Sequence, residues 1–255
     1  MSIKGIELHP GHWKNTGSGA NGLINEVTEA RKVTKRVYEI LQAHKVPATY
    51  FEDNTSSNQQ QNLNALVKHH NADRDDLVVS IHFNAVAGIK ESDIGTEVLY
   101  YSQKALATKL AAAISAASGL KNRGAKKRDG LAVLTKIFEP AVLIEVCFVN
   151  SRADVKKYQE HFEKICLAIA ETLGAHIGLT LKKPVAASNK TVVAKEGNIL
   201  VLNGVGRKEA QDLIRRACKE GVFDASYHTE ERIAGYTDSE LVSYQIAYVN
   251  RTVKA

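Results

Sequence analysis

Four residues stand where the sequence makes chemistry possible. His12 follows an apolar run, Ile3 to Leu8, that stops at Pro10-Gly11, and Glu26 opens the next helical pattern directly after Asn25. Imidazole and carboxylate at adjacent element ends are the materials of a zinc site with an open coordination position. His82 closes the apolar run Leu77-Val78-Val79-Ser80-Ile81, where an imidazole needs a partner or a metal. Glu145 lies inside Val142-Leu143-Ile144-Glu145-Val146-Cys147-Phe148. A lone carboxylate in such a strand costs several kcal/mol or raises its pKa, on the order of units. A raised pKa near neutrality suits a group that both takes and gives a proton. Singly, His12 reads as a surface residue and Glu26 as an acid favoured by a helix dipole. His9-Pro10-Gly11-His12 also leaves open which of its two imidazoles would bind.

These residues must be positioned by alternating elements. Strand-like runs at Ile3 to Leu8, Ala48 to Phe51, Leu77 to Ile81, Thr96 to Tyr101, Leu131 to Leu134 and Ala141 to Val146 alternate with helical spacing. The helical segments run over Glu26 to His44, Gln59 to His70, Gln103 to Ser118 and Ser151 to Leu173. Lys121 to Arg128 reads as a basic connector. This order implies an α/β fold, a mostly parallel twisted sheet with helices on both faces. In such sheets ligands bind beyond the carboxyl ends of strands, so His12, His82 and Glu145 can meet at one edge.

The catalytic-type pattern fills residues 1–180. A small-residue linker follows at 181–190, and 191–255 is expected to form a small C-terminal α/β domain. Its expected elements are a strand over Thr191 to Leu202, a turn at Asn203 to Gly206, a helix from Arg207 to Glu220 and a strand at Phe223 to Tyr227. Thr237-Asp238-Ser239-Glu240 reads as a capping box ahead of another helix.

The chain has 255 residues, is 44% hydrophobic and carries a formal charge of +6, so it can bury a core and favours an anionic partner. The basic residues are spread along the chain and no nucleic-acid module signature is visible, which argues against a nucleic-acid partner. No apolar run is long enough to span a bilayer. The first residues lack the pattern of a signal peptide, so synthesis in the cytoplasm is expected, followed by action elsewhere after release. Cys147, Cys166 and Cys218 form no Cys-x-x-Cys motif and read as buried thiols. His69-His70 ends a helix and suits its dipole.

Taken together, Leu8-His9-Pro10-Gly11-His12, Asn25-Glu26, Ser80-Ile81-His82-Phe83-Asn84-Ala85 and Val142 to Asn150 resemble the zinc-dependent N-acetylmuramoyl-L-alanine amidases of the type 3 family, found in phage endolysins and bacterial autolysins. The resemblance covers Ile3 to Gly174. It implies His12, Glu26 and His82 as ligands of one Zn²⁺ ion and Glu145 as the catalytic carboxylate. It also implies cleavage of the amide between N-acetylmuramic acid and L-alanine in bacterial peptidoglycan. His9 departs from the family, which has aspartate there. Arg123, in Asn122-Arg123-Gly124, and Asn84 are the candidates for contacting substrate, with an exposed loop arginine as the plainer reading of Arg123. By its place the C-terminal domain is expected to bind cell wall, through anionic wall polymers, or to support folding or homo-oligomer formation. The stretch from Asn189 to the end holds ten basic and nine acidic residues, so most of the excess positive charge lies elsewhere. The competing readings are a zinc peptidase acting on the stem peptide and a wall-binding protein without catalysis.

Overall fold

A computed structural model describes residues 3–181 and, beyond them, 204–226, 228–237, 240, 241 and 244. The chain divides into two compact units, Met1–Ala187 and Ser188–Ala255. The linker and the strand expected over Thr191 to Leu202 lie outside the described residues.

In the first unit the strands are β1 (Ile6–Pro10), β2 (Ala48–Tyr50), β3 (Leu77–Asn84), β4 (Thr96–Tyr100), β5 (Asn122–Lys127) and β6 (Ala141–Phe148). They form a sheet of order β2-β1-β3-β6-β4-β5. Every pairing is parallel except β4 with β6, so β4 and β5 run against the other four. The helices are α1 (Glu26–Ala43), α2 (Gln59–His70), α3 (Lys104–Ser118), α4 (Ala132–Thr135), α5 (Arg152–Glu160) and α6 (Phe162–His176).

Side chains alternate along a strand, and here both faces are covered. Ile6, Leu8, Val79, Ile81, Val98, Val142 and Ile144 pack with α1, α3 and α6 in the main core. Val78, Leu99, Ala141 and Leu143 face the other way, onto Leu66 of α2 and Val133 and Leu134 of α4. α1 buries Val27, Ala30, Val33, Thr34, Val37, Ile40 and Leu41, the helical stripe its spacing requires. Its Asn25 cap accepts the Thr28 amide at 3.1 Å. Cys147 and Cys166 are buried free thiols, whereas Cys218 is only half-buried.

Three expectations are corrected. Lys121 to Arg128 is not a plain connector, because Asn122–Lys127 pairs with β4 as an outer strand. The segment from Leu131 is one helical turn, α4, closed by the Thr135 amide on the Leu131 carbonyl. The last helix of the unit is two helices, broken at His161, which caps α5 and opens α6.

In the second unit α7 (Gly204–Lys219) buries Ala210, Ile214 and Ala217 against Phe223, Ile233, Tyr236 and Leu241, and α8 spans Glu230–Gly235. The helix begins at Gly204, inside the expected turn. Phe223 to Ser226 is not a strand: the Asp224 carboxylate accepts the Ser226 amide at 2.8 Å and holds a turn. The capping box forms, with Thr237 N donating to Glu240 at 2.7 Å and Glu240 N donating to the Thr237 hydroxyl at 3.3 Å.

Candidate active site

β1 ends at Pro10, and the next amide, Gly11 N, still pairs with the Ile81 carbonyl at 2.7 Å. The chain then turns through His12 in the left-handed region, φ 65°, which a non-glycine residue adopts only where its surroundings enforce it. Thus the end of β1 presents His12 beside the end of β3, where His82 stands. Glu26, in the first turn of α1, reaches both. His12 Nε2 lies 3.1 Å from Glu26 Oε2, and His82 Nδ1 lies 2.9 Å from Glu26 Oε1. One potential ligand atom from each of the three falls within 4.8 Å of the others. Two imidazoles and a carboxylate at that spacing fit a zinc ion, and His12 Nδ1 is buried without a partner of its own.

Backbone amides complete the hold on Glu26: Ala20 N donates to Oε2 at 2.6 Å and Phe83 N to Oε1 at 3.1 Å. Burial works to raise the Glu26 pKa, but the hydrogen bonds from His12 and His82 outweigh it and hold the carboxyl far below its usual range. Two glycines make the approach possible. A Cβ on Gly11 would sit 2.2 Å from Cε1 of His82, and one on Gly19 would sit 2.9 Å from Glu26 Oε2. Gly11 therefore serves the His82 ring as much as the turn.

Glu145 lies directly across from His82 in the β3–β6 register. Its Oε2 is buried and has no hydrogen-bond partner. Burial, then repulsion from Glu26 and Glu97, pushes its pKa up to about 8, with Arg128 pulling the other way. Glu97 faces Glu145 from β4 and is 4% exposed. It accepts Arg123 Nε at 2.7 Å and Asn84 Nδ2 at 3.2 Å. Arg123 and Asn84, expected to meet substrate, are thus both engaged on a buried carboxylate next to Glu145. Sequence reasoning missed Glu97, although it sits in a strand directly before apolar Val98 and Leu99.

His9 takes no part in the convergence. It is fully buried on the opposite side of β1 from Leu8, with Nδ1 2.8 Å from His70 Nε2. His70 Nδ1 in turn lies 2.5 Å from Glu7, whose other oxygen is 2.6 Å from His69 Nε2. His69 and His70 do end α2, but they serve Glu7 and His9 rather than the helix dipole alone. The signal available was Glu7 itself, an acid alternating with Ile6 and Leu8 in a buried strand. Glu7 also meets Asp73 and Asp75 within 4.8 Å, an all-carboxylate group already tied to two histidines.

Burial, then repulsion from His70, His82 and His69, holds His9 well below the usual imidazole pKa of 6.5. The unfolded chain protonates this residue below that pH while the fold keeps it neutral. The unfolded state then binds more protons, so stability rises with pH through the window below 6.5 and is lost as pH falls. The slope reaches up to about 1.4 kcal/mol per pH unit. Urea unfolding between about pH 7.5 and about pH 5.5 should show it, and the slope should shrink in His9→Gln. An equal slope in that variant would remove His9 as its source.

The Amidase_3 family model, described as N-acetylmuramoyl-L-alanine amidase, matches residues 6–175. An uncharacterized protein of Clostridium perfringens (strain 13 / Type A) is 33% identical over 161 residues, 61% of this chain and 47% of that one. The germination-specific N-acetylmuramoyl-L-alanine amidase of Bacillus subtilis is 28% identical over 180 residues, 63% of this chain and 75% of the relative. The chain spans about half the length of the clostridial relatives it matches. Among solved structures, the amidase AmiC2 of Nostoc punctiforme superposes with TM-score 0.57 at 28% identity, over 70% of this chain and 99% of that one. The catalytic domain of the CD27L endolysin, which targets Clostridia difficile, superposes with TM-score 0.61 at 24% identity, over 70% and 99%.

Proposed function

Because the chain belongs to the N-acetylmuramoyl-L-alanine amidase family, we propose that its first unit hydrolyses the amide joining N-acetylmuramic acid to the L-alanine of the peptidoglycan stem peptide. His12, Glu26 and His82 hold one zinc ion in this reading, and Glu145 handles the proton. The observation that carries it is the convergence of those three ligand atoms beside a buried carboxylate oxygen that has no other task.

A zinc ion held by these residues would supply Lewis acidity, for a carbonyl and for a water near neutral pH. The protein does the rest. Glu26 is fixed by two amides and the two imidazoles, so the ligand set is assembled before substrate arrives. Glu145 takes a proton from the attacking water and gives it to the alanine nitrogen as the carbon–nitrogen bond breaks. Glu97, held by Arg123, faces Glu145 and raises its pKa, which favours the return of Glu145 to the protonated state.

A chelator should stop the enzyme clearing a suspension of purified cell walls, and about one equivalent of zinc should restore clearing. Undiminished clearing by metal-free protein would sink the proposal.

We read the whole chain as an endolysin in which the second unit attaches to the wall. The support is an amidase unit followed by a separate compact unit with its own apolar cluster. Full-length protein should sediment with walls more completely than residues 1–187 do, and equal sedimentation would refute the attachment role.

A further inference from the structure

The loop between β1 and α1 carries the one tryptophan of the chain, Trp13, directly after the candidate ligand His12. Consecutive Cα atoms lie about 3.8 Å apart, so the indole is rooted beside the site. Trp13 is half-buried, yet it joins neither apolar cluster of the first unit. Among the described residues its ring stacks on no other ring, and its indole N–H has no acceptor and is not sealed from solvent. A large apolar surface with one open donor, left out of the core, has the make-up of a contact residue.

The loop around it is fastened. The Ser18 hydroxyl lies 2.7 Å from the Asn15 carbonyl and 3.3 Å from that of Trp13. Asn25 Nδ2 donates to the Thr16 carbonyl at 2.7 Å, and the Ala20 amide is held by Glu26. The residues that cap α1 and bind the metal ligands thus also hold the loop. The indole therefore starts from an ordered place, which lowers the entropy cost of binding.

Strand order gives the side of the substrate that Trp13 meets. β1 and β6 flank β3. His12 and Trp13 follow the end of β1, and Glu145 faces His82 from β6. Trp13 and Glu145 therefore stand on opposite sides of His82. In the proposed amidase reaction, on which this inference rests, Glu145 gives its proton to the departing nitrogen. The nitrogen and the peptide behind it then lie toward β6, and the acyl half, which carries the sugar, runs toward β1. A sugar ring presents C–H bonds on its faces and oxygen-bearing groups on its edges. An indole can meet both, its electron-rich face against the C–H bonds and its N–H toward an oxygen. We infer that Trp13 is a glycan contact of this enzyme, packing its indole on the sugar ring of N-acetylmuramic acid and so placing the acyl half of the scissile amide.

With one tryptophan in the chain, its emission reports on this contact alone. Adding the disaccharide N-acetylglucosaminyl-N-acetylmuramic acid to zinc-loaded protein should shift the emission, and adding stem peptide with a free L-alanine amine should not. In kinetics, Trp13→Ala should lower kcat/KM on a disaccharide-bearing muramoyl peptide about tenfold more than on a lactoyl peptide without sugar, mostly through KM, the scale of one aromatic contact. Trp13→Phe keeps a ring and should recover most of that difference. Emission unmoved by the disaccharide, or moved by the peptide instead, would overturn the assignment. So would equal losses on the two substrates, which would make Trp13 a support of the loop and of His12. Cleavage of neither substrate by wild-type protein would overturn the amidase reading and the acyl-side placement with it, and an emission shift without cleavage would separate sugar binding from that chemistry.

Discussion

Replacing Glu145 with glutamine lowers kcat by about 10² to 10⁴-fold, the range for loss of one general acid–base group, while zinc content stays at one ion per chain. The substitution keeps the shape of the side chain and removes its proton chemistry. Nothing else should change, because the critical oxygen makes no hydrogen bond that holds the fold together. Burial, then the charges of Glu26 and Glu97, push the Glu145 pKa up to about 8. A zinc ion held by His12, Glu26 and His82 would favour the carboxylate form of Glu145, which its surroundings otherwise disfavour. Kinetics on soluble muramoyl peptide, with metal analysis of the same sample, checks both halves. A variant within threefold or so of wild type would mean that Glu145 is not the proton carrier.

His82→Ala abolishes both zinc binding and turnover, and Gly11→Ala weakens zinc binding by about 10 to 100-fold without removing any ligand. The two variants attack one geometry from different sides. His82 supplies an imidazole nitrogen 2.9 Å from Glu26, and no neighbouring residue replaces it. His9 is no substitute, since it lies in the buried chain with His70 and Glu7. Gly11 leaves the room that the His82 ring occupies, and a methyl group 2.2 Å from that ring forces it off Glu26. Competition with a chromophoric chelator measures the affinities. If Gly11→Ala binds zinc as wild type does, the ring is free to shift and the close approach has no bearing on the metal.

The parts of the molecule legible in the sequence were those whose own residues carried the signal. β3 and β6 are largely apolar runs that only a covered sheet interior explains, and His82 and Glu145 stood out against them. α2 spans Gln59–His70, as its spacing required. β5 was not legible because an outer strand needs little apolar surface. It is recruited by its neighbour β4, and its charges read as a connector. α4 failed for a related reason: four residues are too few to separate strand from helix, and the turn is decided by contacts with β6 and α2. The polar contacts hidden in the fold were the hardest to see. Glu97 and Glu7 each occupy alternate positions in buried strands, and a buried carboxylate calls for partners. Those partners, Arg123 and Asn84 for one and His69 and His70 for the other, come from distant elements. His9, which departs from the family's aspartate, is explained by His70, a residue that reads alone as a helix end.

The most direct test is the identity of the amino group released from purified peptidoglycan. Digestion by the zinc-loaded protein, followed by mass spectrometry of amine-tagged fragments, should give stem peptides that begin with a free L-alanine amine. The same amine should be absent after chelation and absent with Glu145→Gln. New amines on any residue further along the stem, or new reducing sugar ends, would contradict the account.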